Sequence, residues 1–216
     1  MRRFTRIPFL FFVVGVFALY ARCITFSFIG LDDAAYTFRN PFVAGGLSVP
    51  NVVEAFTNLR HGGIWMPVTY VSYMLDASIC RWTGLPLMGE MHFVNVLLHT
   101  ANFILLWKLI RLLTTNHQQL TTIIAALAAM IWAVHPLRAE PVAWIAARKE
   151  LLWALFALCG LIFWIKALTV AHSHAPILPP STHSLLCALC VSAGDKNKFL
   201  TMLFCALACL SKPTAM

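Results

Sequence analysis

The chain has 216 residues, 60% of them hydrophobic and 11% charged, against about 25% charged in an ordinary soluble domain. Because the apolar residues are grouped in long runs rather than spread periodically, the composition excludes a water-soluble globular domain. Sixteen Lys and Arg against eight Asp and Glu give a net charge of +8, yet the basic residues flank the apolar runs and form no stripe with interleaved aromatics, so the expected partner is the membrane with its anionic lipid, and nucleic acid is excluded.

The first segment, residues 1–29, opens with Met1-Arg2-Arg3-Phe4-Thr5-Arg6 and continues with an apolar run from Ile7. No small-residue cleavage site follows, and Arg22 before Cys23 spoils a lipoprotein processing site, so the spacing predicts an uncleaved anchor helix over about Ile7–Ile29. Arg22 snorkels outward from it. Residues 30–91 then break the apolar pattern with Asp32, Asp33, Asn40-Pro41, Gly45-Gly46, Pro50 and His61-Gly62-Gly63, the turn formers of a large structured loop. Within it, Pro67 to Trp82 is apolar on one side and carries Asp76 and Arg81, which suits a helix lying in the membrane interface.

Residues 92–216 hold the remaining spans. The second is expected over His92–Leu113, the third over Leu120–Val134 and the fourth over Pro141–Leu168; beyond 169 the sequence allows one broken span or a cytoplasmic loop plus a final helix. His92, Asn95, His99 and Asn102 fall at i, i+3, i+7 and i+10, on one face of the second span. That stripe serves either hydrogen bonding between helices or the wall of a polar cavity. Of the seven cysteines, Cys23, Cys159, Cys205 and Cys209 lie in apolar runs as small hydrophobes, and the lone Cys187-x-x-Cys190 lacks a second pair or flanking His for a metal.

Two acidic patches stand out. Asp32-Asp33 sits where an apolar helix gives way to a loop; such a pair holds a divalent cation against a phosphate, or one carboxylate takes a proton while the other tunes it, or it is simply a polar loop start. The turn from His135 to Glu150 crowds Arg138, Glu140, Arg148, Lys149 and Glu150 between two spans, and charge held against a membrane is functional by default. The bland alternative makes Pro141 the first residue of a helix and Glu140 its cap. Arg2, Arg3, Arg6, Lys108, Arg111, Lys166, Lys196 and Lys198 all fall on the cytoplasmic side if the N-terminus is cytoplasmic, which turns both acidic patches outward. Arg39, Arg60, Arg81, Arg138 and Arg148 then lie on the outer side, and an anionic headgroup accounts for them.

Several segments occur together and in order: Asp32-Asp33 with Tyr36-Thr37-Phe38-Arg39-Asn40-Pro41, Trp65-Met66-Pro67-Val68-Thr69, Leu75-Asp76, His92 to His99, His135-Pro136 with Glu140-Pro141-Val142-Ala143-Trp144, Arg148-Lys149-Glu150, and Leu210-Ser211-Lys212-Pro213. This set resembles the tetratricopeptide-repeat-bearing membrane O-mannosyltransferase-like proteins, both the bacterial members and those that O-mannosylate cadherins. The resemblance implies an all-α polytopic membrane protein with a GT-C-like helix bundle, a large outward first loop containing an interfacial helix, and transfer of a sugar, mannose, from a polyprenyl-phosphate lipid to a protein or glycan hydroxyl. It implies Asp32 or Asp33 and Glu140 as the catalytic acids, and Arg138, Arg148, Lys149, His135 and His92 as substrate-binding residues. A divalent cation on Asp32 and Asp33 is the candidate cofactor. Family members continue into further spans and helical repeats of about 34 residues, whereas this chain stops at Met216 with no visible repeat, so a truncated N-terminal part is expected. With no N-x-S/T sequon, a bacterial inner membrane is favoured over the endoplasmic reticulum. The rival readings are a haem or redox protein using His92, His99 and His135, a non-catalytic membrane protein, a transporter, or an inactive fragment.

Overall fold

The computed structural model describes residues 6–58, 64–114, 118–174 and 196–212. Among these, every regular element is helical, so the protein is an all-α membrane protein. Helix α1 (Arg6–Tyr20) continues directly into a 3-10 turn at Ala21–Thr25. The two together run about 32 Å, close to the ~30 Å of a bilayer core. Four helices follow in the loop: α2 (Asp33–Tyr36), α3 (Pro41–Ala44), α4 (Val49–Thr57) and α5 (Pro67–Thr83). Their starts are written in the sequence. Asn40 and Ser48 accept from Val43 N and Asn51 N as N-caps, and each helix has a proline in its first turn, where no N–H is missed. Gly84 ends α5 in the left-handed conformation, at φ +75°.

Helix α6 (Leu87–Leu113) is followed by α7 (Gln118–Val134), a 3-10 turn at Pro136–Arg138, α8 (Ala139–Ala143), a second 3-10 turn at Ile145–Ala147, α9 (Arg148–His174) and α10 (Lys196–Ser211). Two helical stretches, Leu87–Leu113 and Ile145–Thr169, are long and apolar enough to cross a membrane. A third crossing is available if Thr122–Val134 and Pro136–Ala143, bent by 65°, are counted as one broken span. The Cys187 and Cys190 pair, Arg60 and the 61–63 turn lie outside the described residues.

The fourth span does not start at Pro141. Pro136, not Pro141, opens a turn, Glu140 falls inside the first turn of α8 rather than at its cap, and Trp144 takes an extended conformation that separates α8 from the helix beyond. Residues 134–148 are therefore a broken stretch, with backbone groups that no helix satisfies.

Two cores hold the molecule. One, around Val16, Tyr20, Val96, Phe103, Ala129, Ala133, Val142 and Leu151, joins α1, α6, α7, α8 and α9. The other, around Tyr36, Phe42, Val43, Met66, Tyr70, Tyr73, Met74, Met91 and Ile145, gathers the loop helices onto the ends of α6 and α9. The loop is thus a packed body, and α5 turns Asp76 inward together with Tyr70, Tyr73, Met74 and Ala77. Helix α10 lies along α9, with Phe163 and Phe204 stacked at 5.5 Å.

The polar stripe of α6 is what makes the broken stretch tolerable. All four of its side chains are fully buried. Asn95 Nδ2 donates to the carbonyls of Val142 (3.4 Å) and Trp144 (3.3 Å), Asn102 Nδ2 donates to Leu151 O (3.0 Å), and His99 Nε2 lies 3.0 Å from Ala133 O. Tyr20 OH also donates to Ala133 O (2.9 Å), and Tyr73 OH to Ile145 O (2.7 Å). Except for Leu151 O, which lies within α9, these carbonyls fall at or beside the helix breaks, and at membrane depth an unsatisfied backbone group costs several kcal/mol. Of the two roles the sequence allowed for the stripe, the bonding between helices is the one seen for these three residues.

Tyr73→Phe tests this directly, since it removes the side-chain donor to Ile145 O and leaves that carbonyl the backbone N–H of Arg148 alone. The expected loss is about 0.5–1.5 kcal/mol of stability, read as a lower unfolding temperature in detergent with the helical content intact.

Candidate functional site

The segment following the first helix and the broken stretch between α7 and α9 meet. Asp33 is fully buried at the start of α2, where its Oδ2 accepts from Ile29 N and its Oδ1 from Ala146 N, both at 2.8 Å. The second of these bonds crosses 113 residues of sequence and fastens the acidic loop to the second patch. Beside the clasp is an open cleft of about 350 Å³, walled on one side by Ile29 and Leu31 and on the other by Ala139, Glu140, Ala143 and Trp144.

The sequence-predicted residues divide around that cleft. Asp32 is exposed, one residue beyond the Leu31 wall. Its charge reaches Tyr36, whose hydroxyl is held above its usual range first by burial and then by Asp32. Lys149 lies over the same ring, 5.7 Å from its centre, and among the described residues forms no ion pair with a carboxylate. Glu140 lines the cleft and is exposed. Arg138 is half-buried, with its guanidinium 5.1 Å from the centre of the Trp132 ring and its Nε without a hydrogen-bond partner. Trp132 in turn stacks on His99 at 5.5 Å.

Arg148, His135 and His92 are placed differently. Arg148 is fully buried: its Nη1 pairs with Asp76 Oδ2 at 2.5 Å, its Nε donates to Asn95 Oδ1 (2.8 Å) and its Nη2 to Met91 O (2.7 Å), with the Tyr73 ring 4.7 Å away. Every nitrogen of the guanidinium is bonded inside the protein, so Arg148 ties α5, α6 and α9 together and is buried away from a substrate phosphate. His135 is exposed, and its Nδ1 accepts from Leu137 N, capping the turn that follows. His92 is fully buried in α6, edge-on to Phe26. His99 is enclosed between Tyr20 and Trp132, so no open histidine face is offered to a haem there.

The donor set also bears on a cation at the acidic pair. Both oxygens of Asp33 already accept backbone N–H groups, which leaves Asp32 as the one free carboxylate of the two. Among the described residues, no group of three or more His, Cys, Asp and Glu is arranged to hold a metal ion.

Sequence reasoning missed the partner of Arg148. Asp76 was visible as a charge in an otherwise apolar helix, and its pairing was not, because the two lie 72 residues apart. Burial holds the Asp76 carboxyl up at about 6, against an ordinary 3.8, with Arg148 opposing the rise. The native state therefore keeps a proton that the unfolded chain gives up. Asp76's contribution to stability is fully present below about pH 4 and is lost as the pH rises to about 6, an effect of about 3 kcal/mol. Unfolding measured from pH 4 to 7 is expected to show the wild type losing stability over that window relative to Asp76→Asn.

No family model matches the sequence, and no solved structure matches it. The chain is similar to a protein O-mannosyl-transferase of Caenorhabditis elegans, with 29% identity over 153 residues, which is 68% of this chain. The chain spans about a fifth, 21%, of that relative's length.

Proposed function

We propose that this chain belongs to a GT-C glycosyltransferase that moves a sugar, mannose, from a polyprenyl-phosphate lipid to a protein or glycan hydroxyl on the outer side of the membrane. The observation that carries the reading is the single cleft shared by the Asp32-Asp33 segment and the Glu140 segment, held together by the Asp33–Ala146 bond. Similarity to a protein O-mannosyl-transferase supports it.

Displacing a phosphate from an anomeric carbon needs a base for the incoming hydroxyl and positive charge on the leaving oxygens. Asp32, exposed and next in sequence to Leu31 of the cleft wall, is the base in this reading. Lys149 and Arg138, the cations not committed to internal carboxylates, receive the carrier phosphate, and Glu140 orients the sugar or the acceptor from the opposite wall. Asp33 and Arg148 hold the two walls in place. His135 caps the turn that presents Arg138, and His92 packs behind the clasp. Basic residues around the spans put the N-terminus in the cytoplasm and the cleft outside; the missing sequon favours a bacterial inner membrane.

Purified full-length protein, given a polyprenyl-phosphate donor with labelled mannose and a hydroxyl-bearing acceptor peptide, is expected to transfer label to the peptide. Release of the label only as free sugar, or no consumption of any polyprenyl-linked sugar, refutes the reading.

A further inference from the structure

Helix α4 is amphipathic in the wrong sense for water. Val49, Val53 and Phe56 lie at i, i+4 and i+7 on one stripe and are 78%, 55% and 39% exposed. Two polar residues of the same helix, Asn51 and Glu54, are turned from that stripe instead. Asn51 Nδ2 donates to Gly46 O (2.7 Å), Glu54 Oε1 accepts from Asn58 Nδ2 (2.6 Å), and both are half-buried, while Ala55 is fully buried against the loop core.

The position of the helix relative to the membrane follows from how its first turn is held. Leu47 N donates to Ser78 Oγ (2.7 Å), and Arg81 donates to the carbonyls of Ala44 (2.6 Å) and Gly45 (3.0 Å). Gly46, at φ +75°, lies so close to this face that a Cβ would sit 2.8 Å from Ser78 Oγ and 3.0 Å from Arg81. The entry to α4 is thus bolted to the last turn of α5. That turn ends at Thr83, and the spanning helix α6 begins at Leu87. Within that last turn of α5, Trp82 is 88% exposed, as suits a tryptophan at the membrane–water boundary.

We propose that α4 lies in the lipid–water interface, with Val49, Val53 and Phe56 set into the acyl boundary, and that it anchors the loop carrying α2 to α5 onto the bilayer. The occupant of the stripe is lipid because the face runs from the mouth of a spanning helix and offers no charge to a protein partner. A short helix with an apolar outer face and inward polar groups gains from the headgroup region what it loses in water. This anchoring does not depend on the transferase reading.

The test uses full-length protein in nanodiscs of phosphatidylcholine and phosphatidylglycerol, with photoreactive benzoylphenylalanine in place of Val49, Val53, Phe56 or, for comparison, Glu54. After illumination, phospholipid adducts are expected at two or more of the three stripe positions, several-fold above position 54. Cross-links to polypeptide at the stripe, or lipid adducts there no more frequent than at position 54, overturn the proposal. Hydroxyl-radical footprinting of the unaltered protein gives an independent reading: Phe56 is expected to be protected in the nanodisc, and labelling at the rate of a water-exposed phenylalanine counts equally against it.

Discussion

Asp32→Asn in the full-length protein is expected to cut sugar transfer by about 10²–10⁴-fold, the usual contribution of a positioned general base, while the protein still binds its lipid donor and melts at the wild-type temperature. The expectation comes from the contrast within the acidic pair. Asp32 is exposed and makes no capping bond at the start of α2, so losing its charge disturbs no packing. Asp33 is tied by both oxygens to backbone N–H groups. Asn at that position keeps one acceptor and turns an NH₂ group against the other N–H, at a cost of about 1–3 kcal/mol in stability. Turnover and unfolding measured on both variants separate the roles: Asp32→Asn should be stable and inactive, and Asp33→Asn destabilised. A stable Asp32→Asn protein with wild-type turnover removes Asp32 from the chemistry.

Asp76→Ala is expected to destabilise the protein by about 3–5 kcal/mol, because it leaves the Arg148 charge buried without a partner. That is a large share of a typical stability of about 5–15 kcal/mol. The pair is fully enclosed, with side chains 0% and 2% exposed, and it joins the loop helix α5 to the first residue of α9. Because the wild type itself loses stability as the pH rises to about 6, the loss should be larger at pH 4 than above pH 6. Replacing both residues, Asp76→Leu with Arg148→Met, is expected to recover much of it, since a well-packed apolar pair removes two desolvation costs at once. Equilibrium unfolding of the two single variants and the double variant measures the coupling. A double variant no more stable than Asp76→Ala would mean that the arginine's bonds to Asn95 and Met91, not its charge balance, hold the site.

Much of the helical frame was legible in composition and run length. The apolar runs behind α6 and α7 placed those helices within a few residues, whereas Asn40-Pro41 and Pro50, read as turn formers of the loop, stand at the starts of α3 and α4. The stretch 134–148 was not legible. Pro141 reads locally as the first residue of a helix, yet the chain breaks at Trp144, because Asn95, Tyr73 and Asp33, all distant in sequence, satisfy the groups that the break sets free. For the same reason Arg148, read as one of a cluster of outward cations, is an internal strut. Local sequence shows that a charge is present near a membrane; only the fold shows whether it is already neutralised. Asp32, Asp33 and Glu140 were picked out by their placement at the ends of apolar runs. What the sequence could not supply was the bond from Asp33 to Ala146 that brings their segments to one cleft.

The most direct measurement is cross-linking across that cleft. Full-length protein carrying Leu31→Cys and Ala143→Cys, with its native cysteines left in place, is treated in membranes with a short membrane-impermeant bismaleimide and mapped by peptide mass spectrometry. A link between positions 31 and 143 is predicted, formed from the outer side. Reaction of the two positions from opposite sides of the bilayer, or complete labelling at both without a link between them, contradicts the shared cleft, and the proposed transfer chemistry with it.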